Sequence, residues 1–234
     1  MMDILEALVT WDKNLFLTIN SLHTTWMDHF MWLMSETLVW LPFYLFFLYI
    51  LIRNKQTRSL WLLLLFALLI TFTDQIASGV FKPLVERLRP THDPSLEGLV
   101  HIVNKYKGGH YGFFSSHSAN VFAFAGLSLL FIRRGLYTVI ILIWASLISY
   151  SRIYLGVHFP LDILSGALFG LLSAYGFYLL YQTINKVKTA KHTGKERRRK
   201  KTMEWIPLNE VHQLLSILAI VLIVCLLTSY YLSW

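Results

Sequence analysis

Residues 59–81 read SLWLLLLFALLITFTDQIASGVF, and this apolar stretch decides the fold class of the chain. Asp74 is the one charged residue within it. A helix of about 20 mostly apolar residues is long enough to cross the hydrocarbon core of a bilayer. The stretch therefore predicts a transmembrane α-helix and an integral membrane protein.

The composition of the whole chain supports the same fold class. Of 234 residues, 56% are hydrophobic and 15% are charged, and the mean hydropathy is +0.53. Soluble domains carry roughly 45–50% apolar and about 25% charged residues. This composition therefore excludes an ordinary soluble domain. The single cysteine, Cys225, excludes an intramolecular disulfide and a thiolate zinc cluster.

Five further segments share this apolar character, so the sequence predicts an all-α, polytopic membrane helix bundle. The six predicted transmembrane helices cover residues 26–52, 59–81, 116–132, 136–155, 160–184 and 211–233. Residues 3–22 mix apolar and charged side chains, which is typical of an amphipathic helix at the membrane interface. A soluble cap packed on the bundle is the alternative for this helix.

These segments predict four parts of the chain. They are an N-terminal interfacial helix (1–25), a domain of five transmembrane helices (26–185), a basic cytoplasmic linker (186–210) and a C-terminal transmembrane helix (211–234). The linker contains the run KERRRKK at residues 195–201. Beside a membrane, such a run favours a topogenic role or contact with anionic lipid, so we expect no nucleic-acid partner.

The distribution of basic residues predicts the orientation of the bundle. Of the 21 Lys and Arg residues, 14 fall on the side that holds the turn 53–58, the turn 133–135 and the linker. Cytoplasmic loops carry the excess of Lys and Arg, so this side is predicted to be cytoplasmic. The loops 82–115 and 156–159 then face the periplasm or the cell exterior.

Ionisable residues collect at the helix ends on this outer side. Lys82 and Arg89 are seven residues apart, so they share one face if this stretch is helical. The serines and histidine of 115–118 open the third span. Hydroxyl residues at a helix N-terminus cap it, and its free N–H groups attract anions.

Arg152, His158 and Asp162 follow at the next two helix ends. Taken singly, each has an ordinary role, since an arginine reaches the headgroups and an acidic residue stabilises a helix N-terminus. Ionisable residues at membrane depth are costly, and they are functional candidates by default. Together these groups indicate a phosphate site with a nucleophile and an acid.

The spacing of these residues resembles the type-2 phosphatidic acid phosphatase superfamily, in its bacterial membrane-bound branch. Lys82 to Arg89-Pro90 matches K-x6-R-P, and Ser151-Arg152 to His158 to Asp162 matches S-R-x5-H-x3-D. The middle signature, P-S-G-H, here reads Phe114-Ser115-Ser116-His117, with Phe in place of Pro and Ser in place of Gly. The resemblance covers about residues 15–185.

The resemblance implies a metal-independent phosphoric monoester or diphosphate hydrolase. It implies that His158 forms a phosphohistidine, that Asp162 fixes the tautomer of His158, and that His117 serves as acid and then base. The implied phosphate-binding residues are Lys82, Arg89, Arg152, Ser115 and Ser116. Because cations supply the charge that a metal would bring, we expect no cofactor. A metal site at His101, His110 and His117 is the alternative.

The resemblance further implies a membrane lipid phosphate as substrate, at the outer face of the bacterial inner membrane. The short chain and its N-terminal helix favour undecaprenyl diphosphate. The alternatives are lipid A, phosphatidylglycerol phosphate and phosphatidic acid. Two non-enzymatic classes also compete, namely an anion transporter and a lipid-binding scaffold. A transporter needs ionisable residues at several depths, and a scaffold can dispense with the two histidines and the carboxylate.

Overall fold

The computed structural model describes residues 2–53, 57–192 and 206–233, and these residues form helices with no β-strand among them. The helices are α1 (Met2–Asn20), α2 (Thr25–Ser35), α3 (Leu41–Arg53), α4 (Thr57–Gln75), α5 (Ser116–Phe131), α6 (Gly135–Tyr154), α7 (Pro160–His192) and α8 (Leu208–Leu232). The predicted all-α membrane bundle is confirmed. The basic run at 195–201 lies outside the described residues.

Within the part of the chain that the structure describes, four helical segments are long and apolar enough to cross a membrane. They are Leu60–Val85, Gly135–Tyr154, Pro160–Ile184 and Leu208–Leu232. The first of them is α4, continued by a π-helical segment at Ile76–Phe81 and a short turn at Lys82–Val85. Helix α5 has 16 residues, so it is shorter than a typical span.

The first predicted span, 26–52, is broken. Helix α2 and the segment Thr37–Arg53 meet at an angle of 67°. Glu36 is extended at the break, and Pro42 lies in the first turn of α3. Proline lacks the N–H that would continue a helix but suits the start of a new one. Among the described residues the number of spans is therefore four, or five with the bent pair, and the shorter α5 accounts for the remaining predicted segment.

Helix α5 lies at the centre of the bundle and approaches α7 closely. A Cβ atom added to Gly170 would lie 2.3 Å from the carbonyl oxygen of Ala119, and one added to Gly166 would lie 2.5 Å from that of Ser115. The absence of side chains at these glycines lets the two backbones meet. This contact holds the start of α5 beside the start of α7.

We predict that Gly170→Ala destabilises the protein by about 1–3 kcal/mol, because the new methyl group must push α5 and α7 apart. Gly176→Ala is the matched control, since a Cβ at Gly176 meets no atom within 4 Å. Thermal unfolding in detergent would measure both variants. Equal unfolding temperatures for the two would contradict the close packing.

Helix α1 packs through one face on the end of the bundle that carries the loops 82–115 and 156–159. Asp12, Phe16 and Asn20 are buried on that face, and the rings of Phe16 and Phe159 lie edge to face at 5.4 Å. The other face exposes apolar side chains such as Ile4 and Leu5. The exposed face fits an interfacial position, which remains a prediction.

Candidate active site

His158 and Asp162 lie where the loop 156–159 enters α7. Oδ2 of Asp162 accepts a hydrogen bond of 3.0 Å from the amide of Phe159, which fixes the carboxylate in the first turn of the helix. The same oxygen lies 3.5 Å from Nδ1 of His158. Both side chains are buried, with exposed fractions of 1% for the histidine and 0% for the aspartate. The carboxylate therefore faces the Nδ1 side of a shielded imidazole.

Arg89 occupies the other side of the His158 ring. Its Nη1 lies 3.2 Å from Nε2 of His158, and its guanidinium also donates to the carbonyl oxygens of Val157 and Tyr111. A guanidinium only donates hydrogen bonds, so Nε2 accepts and the ring proton is assigned to Nδ1. Burial and the nearby Arg89 and Arg152 hold the pKa of His158 well below its ordinary value. The imidazole is therefore neutral at physiological pH.

Lys82 and the start of α5 form the second part of the site. Nζ of Lys82 donates to Oγ of Ser116 at 2.8 Å and to Oγ of Ser78 at 3.3 Å. Ser115 caps α5, because its Oγ accepts the amide of Ser118 while its own amide donates to the carbonyl oxygen of Asp162. The hydroxyl of Ser115 is thus engaged by the helix, and Ser116 is the serine that contacts a cation.

His117 and Arg152 complete the set of predicted residues. His117 follows Ser116 in the first turn of α5 and is half-buried. The guanidinium of Arg152 donates to Oγ of Ser35 and, at 3.4 Å, to the hydroxyl of Tyr106. The structure thus brings all eight predicted residues to one end of the bundle. Sequence reasoning missed Ser35, which comes from α2, and Tyr106, which comes from the loop 82–115.

The alternative metal site is not formed. The described residues contain no group of three or more His, Cys, Asp or Glu side chains able to hold a metal ion. His101 instead lies 2.9 Å from a carboxylate oxygen of Asp28 and stacks on His23, while His110 contacts the ring of His92.

Comparison with known proteins identifies the family. The model of the PAP2 superfamily matches residues 60–186, which include all eight predicted site residues. The chain belongs to the PAP2 superfamily. It is a multi-pass membrane lipid phosphatase and a phosphoric monoester hydrolase. The resemblance drawn from the motifs is therefore confirmed, and the transporter and scaffold alternatives are wrong.

Individual PAP2 proteins match most of the chain. A lipid A 4'-phosphatase of Bacteroides thetaiotaomicron is 37% identical over 75% of this chain and 79% of its own length. A lipid A 4'-phosphatase of Porphyromonas gingivalis is 35% identical over 76% of this chain and 75% of its own length. The crystal structure of a PAP2-type phosphatidylglycerolphosphate phosphatase from Bacillus subtilis superposes with a TM-score of 0.58 at 25% identity, covering 82% of this chain and 90% of the other.

Two charged residues, Arg87 and Asp12, are linked to Asp162 but were given no role in the site from the sequence. Arg87 bonds Oδ1 of Asp162, and it also bonds Asp12, a buried residue of α1. Arg87 lies between the two cations of the first motif, so its position in the sequence was a signal. Asp12 shares a helix face with Phe16 and Asn20 at four-residue intervals, which was a weaker signal.

Proposed function

We propose that this PAP2 enzyme removes a phosphate from the sugar of a lipid A-type glycolipid through a phosphohistidine at His158. The observation that carries the chemistry is the buried imidazole, which has Arg89 3.2 Å from Nε2 and Asp162 3.5 Å from Nδ1. The two lipid A 4'-phosphatases that match about three quarters of the chain support this substrate class.

In the first step, the Nε2 lone pair of His158 bonds to phosphorus as the bond between phosphorus and the ester oxygen breaks. His117 gives a proton to that oxygen, and the lipid alcohol leaves. The ring of His158 becomes cationic, and the carboxylate of Asp162 beside Nδ1 stabilises it. In the second step, His117 takes a proton from water, the oxygen bonds to phosphorus, and the nitrogen–phosphorus bond breaks to release inorganic phosphate.

The cations stabilise the charge on the phosphoryl oxygens. Arg89 lies at the attacking nitrogen, so its N–H groups can donate to a phosphoryl group bonded there. Lys82 approaches from the turn Lys82–Val85, which follows α4, and contacts Ser116 of α5, while Arg152 approaches from α6. Fixed positive charge in a buried site stabilises a transition state strongly because it needs no reorganisation.

Phosphate release by the purified protein tests the substrate. The panel is lipid A, undecaprenyl diphosphate, phosphatidylglycerol phosphate and phosphatidic acid. We expect the highest kcat/KM for lipid A. Highest turnover of undecaprenyl diphosphate would contradict the lipid A proposal and support the substrate predicted from the sequence. Absence of phosphate release from every lipid would refute the proposed phosphatase activity.

We also predict that activity persists in EDTA and is blocked by vanadate. Vanadate adopts a five-coordinate geometry like that of in-line phosphoryl transfer, and transition-state analogues bind tightly. The measurement is phosphate release with each additive. Loss of activity in EDTA that a divalent ion restores would contradict catalysis by histidines and cations alone.

The predicted orientation places the site at the outer face of the inner membrane. In a Cys225→Ala background, we expect a membrane-impermeant thiol reagent to label Gly109→Cys but not Gly135→Cys in intact cells, with any outer membrane permeabilised. These positions form a matched pair, because both glycines are exposed and a Cβ at either meets no atom within 4 Å. The reverse labelling would place catalysis in the cytoplasm.

A further inference from the structure

A series of charged contacts links α1 to the imidazole of His158. Oδ2 of Asp12 lies 2.5 Å from Nη2 of Arg87, and Nη1 of Arg87 lies 2.8 Å from Oδ1 of Asp162. Asp162 in turn faces Nδ1 of His158. Both carboxylates have an exposed fraction of 0%, and that of Arg87 is 20%. One guanidinium is therefore shared between two buried carboxylates.

Arg87 is also held by contacts with the loop before α7 and with the loop 82–115. Its guanidinium lies 4.3 Å from the centre of the Phe159 ring, and its carbonyl oxygen accepts the amide of Gly112 at 2.8 Å. Phe159 in turn packs on Phe16 of α1. Helix α1 thus contacts both Arg87 and the segment that carries His158.

Asp12 also contacts the helix that carries Asp162. Its Oδ1 accepts a hydrogen bond of 2.9 Å from the amide of Leu161, in the first turn of α7. The first amides of a helix lack partners within the helix, and a carboxylate there satisfies one and favours the helix dipole. Asp12 therefore acts as a cap supplied by another helix.

We propose that Asp12 is a positioning residue, which holds Arg87 and the first turn of α7 so that Asp162 stays aligned with His158. The inference rests on the proposed phosphohistidine chemistry. Asp12 lies outside residues 60–186, the part of the chain that the family model matches. The N-terminal helix thus supplies a part of the site that the matched region lacks.

The arrangement predicts an effect on turnover rather than on substrate binding. The hydrogen bonds and ion pair described for Asp12 are with Arg87 and Leu161, and none is with Lys82, Arg89 or Arg152. Without the carboxylate of Asp12, Nη2 of Arg87 loses its ion-pair partner, and the guanidinium can shift away from Asp162. A small misplacement of catalytic groups costs up to about 100-fold in rate.

The test compares Asp12→Asn with Asp3→Asn, the same substitution at an exposed position of the same helix. With lipid A and dioctanoyl phosphatidic acid as substrates, we expect kcat to fall about 10- to 100-fold for Asp12→Asn with KM unchanged. Asp3→Asn should retain wild-type values. An unchanged kcat in folded Asp12→Asn protein would overturn the inference, while an inactive wild type would instead refute the proposed function.

A double-mutant cycle shows whether Asp12 acts through Arg87. We expect Asp12→Asn combined with Arg87→Met to be no slower than Arg87→Met alone, because the second change removes the partner of the first. Multiplying effects on kcat would mean that Asp12 acts independently of Arg87, which would overturn the proposed route through Arg87. Asp12→Glu keeps the negative charge, so we expect its kcat to lie between those of Asp12→Asn and the wild type. If Asp12→Asn fails to fold, Asp12→Glu takes its place in the test.

A readout independent of turnover is the ¹⁵N NMR spectrum of histidine-labelled protein, with the His158 signals assigned by their loss in His158→Ala. We expect the Nδ1 and Nε2 shifts of His158 to move in Asp12→Asn and to stay unchanged in Asp3→Asn. Identical His158 shifts in wild type and Asp12→Asn would overturn the inference.

Discussion

Replacement of His158 by alanine is expected to lower kcat by about 10⁴-fold or more while the protein stays folded. Nε2 of His158 is the nucleophile of the proposed mechanism, and it is the nitrogen that faces Arg89. The measurement is phosphate release by protein that elutes as a single species in size-exclusion chromatography.

His212→Ala is the matched control, because His212 is exposed on α8, away from the site. Wild-type turnover by His158→Ala would end the covalent mechanism. A similar loss in His212→Ala would show that the assay reports the stability of the bundle rather than the chemistry.

Asp162→Asn is expected to lower kcat by about 10³- to 10⁴-fold with a smaller change in KM. The amide can face Nδ1 but cannot stabilise the imidazolium that forms on attack, and it permits the wrong tautomer. Phosphate release over a range of lipid concentrations separates kcat from KM.

The combined variant checks that Asp162 acts through His158. Adding Asp162→Asn to His158→Ala should cost little more, because members of one catalytic unit are strongly non-additive. A further large loss in the double variant would show that Asp162 has a separate role, such as holding the first turn of α7 in place.

The long spans could be predicted from the sequence because their signal is local. Hydropathy alone predicted the span 136–155, and both ends of α6 in the structure lie within one residue of that prediction. The break at Glu36 could not be predicted in this way, because residues 26–52 remain largely apolar across it. The angle depends on how α2 and α3 pack against the rest of the bundle, and hydropathy does not contain that information.

The candidate site was predictable to the extent that its residues occur in spaced motifs. Lys82, Arg89 and His158 were found because their spacing matches a family pattern. Asp12 was not found, because its partner Arg87 is far away in the sequence and the two residues meet only when α1 packs on the loop 82–115. Ser115 was assigned to phosphate, yet its hydroxyl caps α5, a distinction that requires the helix N-terminus to be seen.

The most direct test of the covalent mechanism is the location of phosphate on the enzyme during turnover. Wild-type protein and His158→Ala would be mixed with lipid A, denatured in alkaline detergent and digested, and the peptides analysed by mass spectrometry. The mechanism predicts a phosphorylated peptide in which the phosphate is on His158, is lost in acid, and is absent from the variant. Active enzyme that carries no phosphate on His158, or carries it on another residue, would contradict it.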